Sequence, residues 1–187
     1  MKACSFFGHR DTAQTEELKQ SVRETVERLI VEERVDTFLF GSRSTFDALC
    51  HECVTFLQQK YPHIRRIMYT CRSEYAVKKG EKERVEKGWS NLLKKNVTIQ
   101  DYDGEMMSDR VYSAGKASYV ERNQEMINAS DYCIFYYNPQ YLPTRGKCSK
   151  IENGAYQSKS GTALAFAYAE RRKKSERGMK IINLFLK

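Results

Sequence analysis

The chain has 187 residues, 41% hydrophobic and 30% charged, with a net charge of +8 and a mean hydropathy of −0.67. That length suits one domain with a proper core, and no apolar run approaches the roughly 20 residues of a membrane helix. Met1-Lys2-Ala3-Cys4 leads straight into an apolar run without the long apolar stretch and cleavage site of a signal peptide, so a cytoplasmic protein is expected.

In chain order, residues 2–7 read as a strand that breaks at Gly8-His9-Arg10, and residues 14–33 read as a helix. Leu18, Val22, Val26, Leu29 and Ile30 give that helix its 3.6-residue apolar stripe. A second strand at 35–40 breaks at Gly41-Ser42-Arg43-Ser44 into a helix at 44–60. Within it, Cys50-His51-Glu52-Cys53 looks like half a metal site, but Cys71, Cys133 and Cys148 supply no matching pair. Cys50 and Cys53 also fall at i, i+3 among Phe46, Leu49, Val54 and Leu57, which favours core packing. Further strands are expected at 64–70 and 97–101, with a helix at 79–93 between them.

Residues 101–116 follow no pattern, a helix is expected at 117–129, and a strand at 132–137. Residues 138–159 hold Pro139, Pro143, Gly146 and Gly154 and read as a long loop, the kind usually tied to function. It ends at Ser160-Gly161-Thr162, where Ser160 is a good N-cap for an Ala-rich helix over 160–174. A last strand spans 180–185. Nearly all-apolar strands separated by helices predict an α/β fold, a single Rossmann-like three-layer domain over 1–187. Its mainly parallel sheet has about six strands, with helices on both faces.

In such a sheet the turns after the strands gather at the carboxyl edge, where ligands bind. Glycine allows close backbone approach and helix starts offer free N–H groups to phosphate. There His9 can hydrogen-bond a sugar or base, and Arg10 can grip phosphate through its planar fork. The bland alternative makes His9 a turn residue and Arg10 a surface charge. Gly41-Ser42-Arg43-Ser44-Thr45 is a phosphate cradle or simply an N-cap, with Ser44 capping and Asp47 answering it. Neither a Walker A nor a GxGxxG sequence is present. Arg122-Asn123 lies on a helix, where an arginine is more often solvated than functional. No triad, HExxH or GxSxG pattern occurs, and neither a metal site nor a cofactor is expected.

Four motifs in order resemble the SLOG superfamily, the Rossmann-like group that includes the DNA-processing protein A family and the LOG enzymes; the nearest likeness is its YpsA-like branch. The motifs are Phe6-Phe7-Gly8-His9-Arg10, Gly41 through Asp47, Arg122-Asn123 with Met126-Ile127 and Ser130-Asp131, and Ser160-Gly161-Thr162 with Ala165, Tyr168 and Ala169. The resemblance implies a pocket for a nucleotide or nucleotide-derived molecule, such as an ADP-ribose or NAD-like ligand, in a binding protein or sensor. That pocket would comprise Gly8, His9, Arg10, Gly41, Ser42, Arg122, Asn123, Ser160, Gly161 and Thr162. The second turn carries less glycine than the family usually has, and no proline-glycine-glycine precedes Gly161-Thr162.

The resemblance also raises a LOG-type nucleotide N-glycosidase. Arg122 falls where the LOG arginine would lie, but Ala165 stands where those enzymes carry glutamate. The carboxylate that would stabilise an oxocarbenium-like charge is therefore missing, which favours binding over catalysis. Glu152, in the preceding loop, is the one carboxylate that could swing in to replace it. The +8 charge makes a nucleic-acid-binding module the alternative of another class. Against it, positive residues alternate with acidic ones, as in Lys78-Lys79-Gly80-Glu81-Lys82-Glu83-Arg84, a pattern of solvated helix faces. The apolar stripe of Leu18, Val22 and Leu29 leaves a homo-oligomer open, and no membrane partner is expected.

Overall fold

The computed structural model describes residues 1–41, 44–70, 102–107, 116–141, 160–175 and 178–186. Its strands are β1 (Ala3–Gly8), β2 (Thr37–Phe40), β3 (Arg65–Thr70), β4 (Gly104–Met107), β5 (Tyr132–Tyr136) and β6 (Lys180–Asn183). Its α-helices, among the described residues, are α1 (Glu16–Val31), α2 (Thr45–Lys60), α3 (Lys116–Asn128) and α4 (Gly161–Ser175). The strands form one sheet in the order β4-β3-β2-β1-β5-β6, with every neighbouring pair parallel.

Every residue of β1 and β2 is buried, which is the signature of a parallel sheet covered on both faces. Side chains alternate across the sheet. Phe6, Phe38 and Phe40 pack with Val22 and Val26 of α1 and Phe46, Leu49 and Val54 of α2. Phe7, Leu39, Ile67 and Phe135 face the other way, onto Met126 and Ile127 of α3 and Ala165 and Ala169 of α4. The result is the three-layer Rossmann-like fold. β1 and β5 are adjacent, with the chain leaving to opposite sides, so the topological switch point lies between them.

The caps follow local chemistry. Thr15 accepts from Leu18 N–H at 3.2 Å to start α1, and Ser44 accepts from Asp47 N–H at 3.1 Å to start α2. Ser160 accepts from Ala163 N–H at 3.1 Å, the capping expected of it.

Several expectations need correction. The edge strand beside β3 is Gly104–Met107, inside the stretch that shows no periodicity. Asp103 places it: the carboxylate accepts from Arg66 N–H at 2.7 Å and from the Arg66 guanidinium at 3.1 Å. The expected strand at 97–101 and helix at 79–93 lie outside the described residues. The last strand stops at Asn183, where Leu184–Leu186 turn into a 3-10 helix. Leu18, Val22 and Leu29 sit in the monomer core, so that stripe is used within the chain. Cys50 and Cys53 are fully buried core residues as well.

Candidate functional site

At the carboxyl end of β1, Gly8 has no room for a side chain. A Cβ there would lie 2.4 Å from Cβ and Cγ of Phe46 in the first turn of α2. A Cβ at Gly41, just beyond β2, would meet Met126 Sδ at 2.6 Å, Tyr69 O at 3.1 Å and Arg122 Nε at 3.2 Å. Both glycines thus admit packed helices to the strand ends, where the sequence suggested close approach of a ligand.

The segment after β1 is tied to the start of α2. Thr45 N–H donates to Arg10 O at 2.9 Å, and the Thr45 hydroxyl accepts from Thr12 N–H at 2.7 Å. The Thr12 hydroxyl donates to His9 O at 3.0 Å. Across the switch point, the Thr162 hydroxyl donates to Gly8 O at 2.8 Å, which fixes the start of α4 against β1. The last turn of β1 is held from both sides.

His9 sits in this cradle and is only 3% exposed. Its Nε2 accepts from Asn138 N–H, just past β5, at 3.0 Å. The Tyr141 ring stacks on it with centroids 3.8 Å apart and an 18° angle between planes, and Tyr137 lies at 6.0 Å. Burial lowers the His9 pKa from its ordinary value. Nδ1 is buried and has no hydrogen-bond partner. Nothing in the sequence pairs His9 with Tyr141, because the contact is made only by the parallel pairing of β1 and β5.

Arg122 is 3% exposed on α3, lies against Gly41 and sits over the Tyr119 ring at 5.2 Å. It is a buried residue, unlike the solvated arginine common on helices. Asn123 beside it has a buried Oδ1 with no hydrogen-bond partner. Arg10 and Gly161 are exposed, and a Cβ at Gly161 would meet nothing within 4 Å. Ser42 and Glu152 lie outside the described residues. Asp47 is the one buried carboxylate among the described residues, in the first turn of α2, where the helix dipole favours an anion.

The remaining motif residues are structural. Met126, Ile127, Ala165 and Ala169 are core. The Ser130 hydroxyl donates to Met126 O at 2.7 Å and lies 3.0 Å from Ser5 Oγ. Asp131 accepts from Ala3 N–H at 2.8 Å, and Tyr168 donates to Asn128 Oδ1 at 3.0 Å.

A family model described as the YspA SLOG family matches residues 3–177. The chain belongs to the YspA SLOG family. Among curated proteins, none matches it. Membership of the SLOG family suggests, at a general level, a nucleotide-related ligand. The motifs that carry it divide, in this structure, into a larger set that builds the fold and a few polar side chains at the carboxyl edge, of which His9 Nδ1 and Asn123 Oδ1 are buried without a hydrogen-bond partner.

Two further features bear on chemistry. Burial pushes the thiols of Cys53 and Cys133 up to about 11 and about 12, and those of Cys4 and Cys50 well above their ordinary value. None of these four is a thiolate nucleophile at neutral pH. A cleft of about 380 Å³ lies at the amino edge, lined by Arg28, Glu33, Tyr132, Lys173 and Lys180. Glu33 there accepts from Lys180 and from the Tyr132 hydroxyl, each at 2.6 Å. Among the described residues no helix is long and apolar enough to cross a membrane, and no cluster of His, Cys, Asp or Glu is placed to hold a metal.

Proposed function

We propose that this protein binds a nucleotide or nucleotide-derived small molecule of the ADP-ribose or NAD type at the carboxyl edge, beside the β1–β5 switch point, as a cytoplasmic sensor or ligand-binding protein. The observation that carries the reading is that two motif residues, His9 and Asn123, each keep a buried polar atom without a hydrogen-bond partner. Buried polar groups are satisfied in the great majority of cases, and exceptions call for an explanation such as a ligand. Buried Arg122 and the starts of α2 and α4 add positive potential suited to phosphate at the same edge.

Binding is favoured over N-glycoside hydrolysis because Ala165, where the LOG enzymes carry a catalytic carboxylate, is a core residue 3% exposed. Titration calorimetry of the full chain against ADP-ribose, NAD, AMP and a single-stranded oligonucleotide tests the proposal. Saturable binding of a small molecule with weak salt dependence is the expected result. Binding of the oligonucleotide alone, with affinity falling steeply as salt rises, would replace the pocket with a polyanion surface. Release of free base from AMP at about 1–10³ s⁻¹ would make the chain an enzyme, and Asp47→Asn would then show whether the buried carboxylate had replaced the missing one.

A further inference from the structure

The ring of His9 is constrained more tightly than a turn residue requires. Asn138 N–H donates to Nε2 at 3.0 Å, so that nitrogen supplies a lone pair and carries no proton. In the neutral ring the proton then resides on Nδ1. Nδ1 is the nitrogen that is buried without a partner, on a side chain 3% exposed. The stack on Tyr141 fixes the plane of the ring, and the Thr12 hydroxyl bonded to His9 O holds the backbone beneath it. Position, plane and tautomer are therefore all set by the protein, while the donor they set has nothing to bond.

The geometry points to His9 as the specificity-determining donor of the site: a neutral imidazole, locked as the Nδ1–H tautomer by Asn138, that hydrogen-bonds an acceptor oxygen of the ligand's phosphoryl or ribosyl part. This rests on the carboxyl-edge binding reading and adds the atom that recognises the ligand. A neutral donor suits an uncharged hydroxyl or carbonyl oxygen as well as an anionic one, so charge is left to Arg122 and the helix starts. Since Nε2 is engaged by the first residues after β5, the same ring links the ligand to the Asn138–Tyr141 segment.

The test uses the full chain labelled with ¹⁵N and long-range proton–nitrogen correlation of its three imidazoles, those of His9, His51 and His63. His9 is assigned by loss of its signals in His9→Asn. At about pH 7.5, above the ordinary histidine pKa, the free protein should show His9 protonated at Nδ1 alone. The opposite tautomer, or an imidazolium, overturns the inference without touching the binding reading. Adenosine, AMP, ADP-ribose and inorganic phosphate are then added in turn, with calorimetry reporting binding independently. A probe that binds should move the Nδ1–H proton downfield and slow its exchange, with Nε2 still unprotonated. Response to adenosine assigns the contact to the sugar, and response to phosphate assigns it to the phosphoryl group. Heat of binding with Nδ1 unmoved overturns the inference and leaves the pocket standing. Absence of binding by every probe removes both. In a second arm, His9→Asn places an amide near the Nδ1 position and His9→Gln near the Nε2 position, with thermal melts confirming that both fold. His9→Asn should bind about fivefold tighter than His9→Gln, the scale of one neutral hydrogen bond; equal affinities count against the Nδ1–H donor.

Discussion

Arg122 and Asn123 are neighbours on α3, and their removal should change stability in opposite directions. Arg122 is buried against Gly41 and Tyr119, so Arg122→Ala should lower stability by about 1–2 kcal/mol through lost packing. An arginine solvated on its helix would instead leave stability unchanged. Ligand affinity should fall by about 1.5–3 kcal/mol, and Arg122→Lys should recover only part, because a point charge lacks the planar fork. Asn123→Ala removes a buried oxygen that has no partner and replaces a mediocre helix former with the best one. Chemical denaturation should show it more stable by about 0.5–1 kcal/mol, while calorimetry shows weaker binding. Stability gained with affinity lost is the pattern of a residue kept for its ligand; unchanged affinity would make Asn123 an ordinary helix residue. The identities of both residues stand out in the sequence, but the burial of Arg122 and of the Asn123 Oδ1 does not. A helix position reveals its face only when the elements around it are known.

At the scale of elements, the glycines at the ends of β1 and β2 decide how closely helices approach the site. Gly8→Ala would place a methyl 2.4 Å from Phe46, in the rigid first turn of α2. Overpacking of this kind should cost about 1–3 kcal/mol. Gly41→Ala meets chiefly the Met126 thioether, which is flexible enough to turn aside, so urea unfolding should show a smaller loss there. Equal losses would mean that α2 shifts as readily as one side chain rotates. All four described helices were legible, along with β1, β2, β3, β5 and the start of β6. β4 was not, because Gly104-Glu105-Met106-Met107 has neither alternation nor an apolar run. Its strand state comes from parallel pairing with Ile67–Thr70, together with the grip of Arg66 on Asp103.

For the molecule as a whole, two groups with shifted pKa values contribute to acid stability in separate pH windows. His9 has its pKa lowered by burial, so between its ordinary 6.5 and that lower value the unfolded chain takes a proton the folded one does not. Stability should decline as pH falls through that window. For Asp103, burial alone would raise the pKa, but hydrogen bonds from Arg66 and Gln58 outweigh it and hold the carboxyl at about 2. Its contribution, about 1 kcal/mol after allowance for solvent screening, is full above its ordinary 3.8 and is lost as pH falls toward about 2. Thermal melts against pH should show both losses, with Asp103→Asn reducing the lower one and His9→Asn the upper. By itself, the sequence determined the fold class, most element positions, the order of the four motifs and the family they belong to. Those features are written in local periodicity, caps and short spacings. Only the tertiary structure decided the strand order, the switch point between β1 and β5, and which motif residues build the scaffold and which, as His9 and Asn123, keep an unpartnered polar atom. Tyr141 stacks on His9 and Thr162 bonds Gly8 through contacts between distant parts of the chain, and partners so far apart leave no spacing for a sequence to display.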